Sequence, residues 1–218
     1  VVVGGFYADN NTFASSGVLY VALNIQKDSL GDVHAEAFKA KFLNDYSGDR
    51  TASRSADLIN YEVDKIILRS DGGMVILAES NFVTESSSYN SYYQLYTVTY
   101  TYHYDNVMIL SVNPDGSLDW GNVMRKSQSS ENDDAFFSSY ALFASEKELC
   151  LLYNRGIRRK SDIIKYVIDS KGVASESVII PGNEELMLMP KGCKQVSANH
   201  LIIPCTDKSK PGLLNFSF

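Results

Sequence analysis

The chain has 218 residues, 44% hydrophobic and 21% charged, with a formal net charge of −6. That length suffices for one large or two small domains with a buried core, and the acidic balance speaks against a nucleic-acid binder, which usually carries a basic surplus. No apolar run approaches the roughly 20 residues that a membrane helix needs, so no membrane insertion is expected.

Fourteen tyrosines and ten phenylalanines against five prolines lean toward β-structure. The chain opens VVVGGFYA, read as a strand already under way, so upstream residues are expected. Next comes GVLYVALNIQKDSLGDVHAEAF (17–38), apolar strands about a turn assigned to Gly31. The segment DRTASRSADLINY (49–61) offers one or two helical turns in a connecting loop, and no long segment sustains the i, i+3, i+4 apolar pattern of a buried helix. VDKIILRSDGGMVILAES (63–80) is a hairpin turning at Ser70. TESSSYNSYYQLYTVTYTYHYD (84–105) reads as a projecting hairpin, and DNVMILSVNPDGSLDWGNVM (105–124) as a further one turning at Gly116. There Pro114 presets φ near −65° and Gly116 takes a positive φ at little cost. SYALFASEKELCLLYN (139–154), SDIIKYVIDSKGVASESVII (161–180) and GCKQVSANHLIIPCT (192–206) turn at Ser145, Gly172 and Ser197, and the chain ends GLLNFSF.

Two hairpin types therefore alternate, and four strands in roughly 50 residues is the unit of a propeller blade. The expectation is an all-β propeller of four-stranded antiparallel blades at about 1–43, 61–126, 136–180 and 186–218, forming the C-terminal part of a larger ring. Ile66, Leu68, Val75, Leu77, Met108 and Leu110 are assigned to the blade cores. A β-sandwich is the alternative fold, but it does not need the hairpins to alternate.

Asp105, Asn113, Gly116 and Trp120 match an outer hairpin that carries an Asp, a strand, an (N/D)-x-x-G turn and a Trp. In this respect the segment resembles the tandem propeller repeats of secreted and cell-envelope bacterial proteins. The copies at 17–38 and 161–180 depart from the pattern, with Ala35 and Glu176 near the place of the Trp. The resemblance implies a bacterial, extracytoplasmic location in the periplasm or at the cell surface, and a Trp120 packed between blades.

In a four-stranded blade, the turns joining the first to the second strand and the third to the fourth emerge at one end. These are all minimal here, while every long connection (9–16, 44–60, 81–104, 127–135, 154–162) falls at the other end. Long loops cost little stability per added residue and commonly carry function. In the largest, Tyr96, Val98, Tyr100, Tyr102 and Tyr104 alternate with Thr97, Thr99, Thr101 and His103. Tyrosine combines large contact area, low entropy cost and a hydroxyl, so this stripe suits protein contacts. The loop NRGIRRKSD (154–162) adds Arg155, Arg158, Arg159 and Lys160, whose guanidinium groups can grip carboxylates or phosphates. The acidic run at Glu131, Asp133 and Asp134 lies nearby.

Signals for chemistry are weak. His34, His103 and His200 lack metal-ligand spacing, and Asn113, Asp115, Ser117 and Asp119 mimic an EF-hand start but meet Leu118 and Met124 where Gly and Glu belong. Cys150, Cys193 and Cys205 form no CxxC pair, and a bridge from Cys193 to Cys205 across a hairpin stays open beside buried thiols. The reading is a non-enzymatic binding or scaffold protein with no cofactor or metal. Its partner is expected to be a protein, in an outer-membrane or cell-surface complex, bound through Tyr96, Tyr100, Tyr102, Tyr104, Arg155, Arg158 and Arg159. A carbohydrate-active hydrolase or lyase using Asp133 or Asp134, or a carbohydrate-binding propeller, is the alternative.

Overall fold

A computed structural model describes residues 1–8, 14–24, 29–39, 42–43, 58–158, 160–182, 185–208 and 210–218. The described residues are all-β and form four antiparallel sheets of three to five strands. It divides into two compact units, residues 1–80 with 106–125, and residues 81–105 with 126–218. The helical turns expected in 49–61 fall largely outside the described residues.

In the first unit, β1 (Val2–Tyr7), β2 (Gly17–Asn24) and β3 (Ser29–Ala37) form an antiparallel meander. A second meander joins β4 (Tyr61–Leu68), β5 (Met74–Asn90), β6 (Leu95–Val112) and β7 (Leu118–Met124). Period-2 alternation turns Met74, Ile76 and Ala78 of β5 and Met108, Leu110 and Val112 of β6 into one core with Val18, Tyr20, Phe38, Phe42 and Leu58. The intervening Val75, Leu77, Val107 and Ile109 are buried too, so these strands read as continuous apolar runs rather than as alternating ones. Each such side chain contributes about 1.5–3 kcal/mol by leaving water.

Two core assignments need correction. Ile66 and Leu68 are exposed, Leu68 at 64%. They lie on β4, the edge strand of its sheet, where an apolar residue has a neighbouring strand on one side alone.

The hairpin turns follow their residues closely. Gly72, Gly116 and Gly172 adopt φ of +93°, +85° and +80°. Each amide donates to the carbonyl three residues back, Arg69, Asn113 or Asp169. Gly31 differs from its assignment, because it sits inside β3 without a positive φ. It lies where the β2–β3 register shifts, and a Cβ there would come 2.5 Å from the Ala22 carbonyl oxygen. Close backbone approach at a bulge, not a turn, is what calls for glycine. Arg69 ties two turns together, donating to Asp71 at 2.6 Å, Ser111 at 2.6 Å and Asp119 at 3.2 Å. Trp120 is half-buried on β7, opposite Ser111.

In the second unit, β8 (Gln128–Glu131) pairs with the outer part of β6. β9 (Ala141–Ala144), β10 (Glu148–Asn154), β11 (Ile163–Asp169) and β12 (Ala174–Ile180) form a four-stranded meander. β13 (Leu186–Leu188), a turn of 3-10 helix at Pro190–Gly192, β14 (Lys194–Ser197), β15 (His200–Asp207) and β16 (Lys210–Ser217) complete the chain. In this last sheet β13 and β14 lie along one side of β15 and β16 along the other. Phe143, Cys150, Leu152, Ile163, Leu188, Leu201, Ile203 and Cys205 share a core, with Cys193 packed against it. All three cysteines are thiols, so Cys193 and Cys205 are not bridged.

Two buried side-chain amides in this unit, Asn154 and Gln128, satisfy backbone groups of neighbouring segments. Asn154 donates to the carbonyls of Phe137 at 2.8 Å and Leu188 at 2.9 Å, and accepts from the Leu188 amide at 2.9 Å. Gln128 donates to the Asn154 carbonyl at 2.6 Å and accepts from Lys126 and from the Ser139 amide. Gln195 pairs its side-chain amide with both backbone groups of Ala144 on β9, substituting for a strand.

Candidate interaction hairpin

Beyond Ser80, β5 continues to Asn90, and β6 returns from Leu95. The burial pattern records the change, from buried throughout Met74–Glu79 to exposed throughout Val83–Val98. At the tip, Asn90 accepts from the amides of Tyr92 and Tyr93, both at 3.1 Å, and Gln94 takes φ +51° to reverse the chain. An isolated two-stranded ribbon is marginal in water. This one extends strands held in a core and adds its own cross-strand pairs. Phe82 stacks on His103 with centroids 4.5 Å apart, and His103 Nε2 lies 3.1 Å from the Thr84 hydroxyl. Tyr89 leans on Tyr96 at 6.1 Å, the hydroxyl of Tyr96 reaching Ser87 Oγ at 3.5 Å.

The structure divides the expected tyrosine stripe in two. Tyr96 and Tyr100 are exposed, the first at 65%. Tyr102 and Tyr104 are half-buried at the base and engaged there. Tyr102 donates to Asp134 Oδ1 at 2.9 Å, and that bond raises the phenol's pKa by favouring its protonated form. Lys191 donates to the Tyr104 hydroxyl at 2.8 Å and lies 4.3 Å from its ring centroid, while Lys126 donates to the Tyr104 carbonyl. The tip contributes residues that the stripe does not include. Tyr89, Tyr92, Tyr93 and Leu95 are all exposed, Tyr92 at 86% and Tyr93 at 72%. Between Phe82 and Tyr100 the one charged residue is Glu85. The signal for them was the run of aromatic residues around the Asn90 turn, which has no period of its own.

The cationic loop is drawn onto its own sheet. Arg155 lies 3.3 Å from Glu176 and 3.7 Å from Asp162, and Lys160 lies 3.8 Å from Glu185. Arg158 is exposed, and Arg159 lies outside the described residues. In the acidic run, Asp133 accepts from the Ser130 hydroxyl at 2.6 Å and the Ala135 amide at 3.0 Å, while Asp134 accepts from Tyr102. In the EF-hand-like turn, Asp115 accepts from the Ser117 amide and hydroxyl, which holds its carboxyl below the usual range. Among the described residues no three His, Cys, Asp or Glu side chains gather as metal ligands, and no helix is long and apolar enough to cross a membrane.

Comparison with known protein families, curated proteins and solved structures finds no match to this chain.

Proposed function

We propose that this chain is a non-enzymatic protein-binding scaffold that engages its partner through the tyrosine hairpin, its four antiparallel sheets being blades of a propeller. The observation that carries the binding reading is the uncovered aromatic tip: Tyr89, Tyr92, Tyr93, Leu95 and Tyr96 stand in solvent on a ribbon with a single charge. Scattered surface apolar residues need no explanation, but a contiguous aromatic patch marks an interaction site. Interfaces draw most of their energy from a few such anchors, at about 2 kcal/mol or more each.

The blade reading is supported by the consecutive antiparallel order β4-β5-β6-β7 and β9-β10-β11-β12, and by their recurring Gly turns. A bacterial, extracytoplasmic setting belongs to the same proposal and is supported by the motif of Asp105, Asn113, Gly116 and Trp120.

Photo-crosslinking tests the binding reading. With a benzophenone amino acid at Tyr93, one discrete protein should be trapped, and the same probe at the exposed Val173 should not trap it. A glycan as the sole ligand trapped or retained would overturn the protein reading.

A further inference from the structure

The outer edge of β6 is covered along part of its length, and beyond that no strand among the described residues pairs with it. Thr101–Tyr104 pair with β8. At Tyr100 the cover ends, because Asn132 takes φ +52° and leaves the sheet. Asn132 closes the ladder with both its groups: its amide donates to the Tyr100 carbonyl at 3.0 Å, and its side-chain oxygen accepts the Tyr100 amide at 3.0 Å. In an antiparallel strand both backbone groups of a residue point to the same side, and successive residues alternate. Since Tyr100 aims both groups toward the β8 side, Val98 and Tyr96 aim theirs the same way, past the end of β8. Thr97 and Thr99 point toward β5.

We propose that this open edge accepts an extended strand of the protein partner, laid antiparallel to β6 in line with β8 and carrying a basic residue at its amino-terminal end. The inference rests on the protein-binding reading above and specifies its geometry. Exposed edges are templates for strand addition, in which main-chain bonds supply affinity and alternate side chains supply specificity. Native edges are commonly blunted by lysine, proline or a covering loop; Leu95–Thr99 contains none of these, and Tyr96 and Val98 are exposed. The charge at the end of the cover defines the occupant. A strand continuing the line of β8 starts beside Glu131 and Asn132, with the Asp134 carboxylate on the adjacent Tyr102 hydroxyl. A cation at its amino terminus meets that acidic run, and uncharged residues follow along the edge toward the tip.

The same geometry makes proline diagnostic. Proline is tolerated in a strand where its missing N–H would face outward. Val98→Pro should therefore keep the ribbon and block the edge, whereas Thr97→Pro removes a bond to β5 and should open the ribbon. The probe is a fluorescent hexapeptide, Arg-Thr-Val-Thr-Val-Thr, titrated against the full chain. Expected are saturable binding, at least tenfold weakening by Val98→Pro, and no change with Val173→Thr at the exposed control position. Glu131→Lys should weaken the Arg peptide and favour its Glu-for-Arg counterpart, a readout that does not depend on the proline variant folding. Binding that ignores both Val98→Pro and Glu131→Lys overturns the proposal, as does a failure of the peptide to bind. A dimer that Val98→Pro dissolves would assign the edge to a second copy and overturn it likewise. If serine at Tyr92, Tyr93 and Tyr96 abolishes capture of the crosslinked partner while Val98→Pro leaves it intact, the hairpin reading stands and the strand addition fails. If neither matters, both fail.

Discussion

The hydroxyl of Tyr102 donates to the carboxylate of Asp134 at 2.9 Å, fastening the base of the projecting ribbon to the loop that follows β8. The bond favours the protonated phenol and the charge opposes its ionisation, so the folded pKa lies above the ordinary value near 10. A group raised in this way stabilises the fold below its unfolded pKa, and that contribution is lost as pH rises through the folded pKa. Asp134→Asn should bring the Tyr102 titration down toward the ordinary range, followed by carbon NMR of the phenol ring. An unchanged titration would show that Asp134 is not the cause.

Gly116 and Gly72 both hold a positive φ but differ in their surroundings. A Cβ on Gly116 would lie 2.2 Å from the His34 Cβ, whereas one on Gly72 would meet Pro114 at a comfortable 3.8 Å. Gly72→Ala should cost about 1–2 kcal/mol for the left-handed backbone alone. Gly116→Ala should cost more, because β3 must shift as well. Urea unfolding of the two variants checks the order; equal losses would remove the steric contribution.

Asn154 serves three backbone groups from a site with no exposure. Asn154→Leu leaves the Leu188 amide and two carbonyls without these bonds, at about 1–3 kcal/mol for each group so orphaned. Thermal unfolding should show a marked loss, larger than for Asn215→Leu on β16. A Tm within error of the unsubstituted chain would contradict the accounting.

These residues show which parts of the molecule are legible in sequence. Turns are local, so Gly116, Gly172, Ser145 and Ser197 declare themselves through composition, and the alternation from Tyr96 declares a strand. Edge position is not local: Ile66 and Leu68 carry a core pattern on β4, and nothing in their own segment says that one side lacks a neighbour. Asn154 and Gln128 are polar residues that read as solvent-facing, although their partners, distant in sequence, bury them. The tip tyrosines went unassigned for the opposite reason, since Tyr92 and Tyr93 sit in a turn where no period exists to sort them.

The thiols should separate by burial. Cys150 is fully buried and its pKa is pushed up to about 12, while Cys205 is buried and raised, and Cys193 is half-buried. The thiolate is the reactive form. Near neutral pH an alkylating reagent should therefore modify Cys193 first and Cys150 only after denaturant is added. Rapid modification of Cys150 in the native chain, read by mass spectrometry, would contradict its placement in the core.

The hairpin reading is tested most directly by affinity. The partner trapped at Tyr93 is purified and titrated against the chain and against the variant with serine at Tyr92, Tyr93 and Tyr96, with the Tm of both recorded. Loss of three exposed anchors, each worth about 2 kcal/mol, should raise the Kd by well over a hundredfold at an unchanged Tm. A Kd within twofold of the unsubstituted value, in a variant that still folds, would place the binding surface elsewhere.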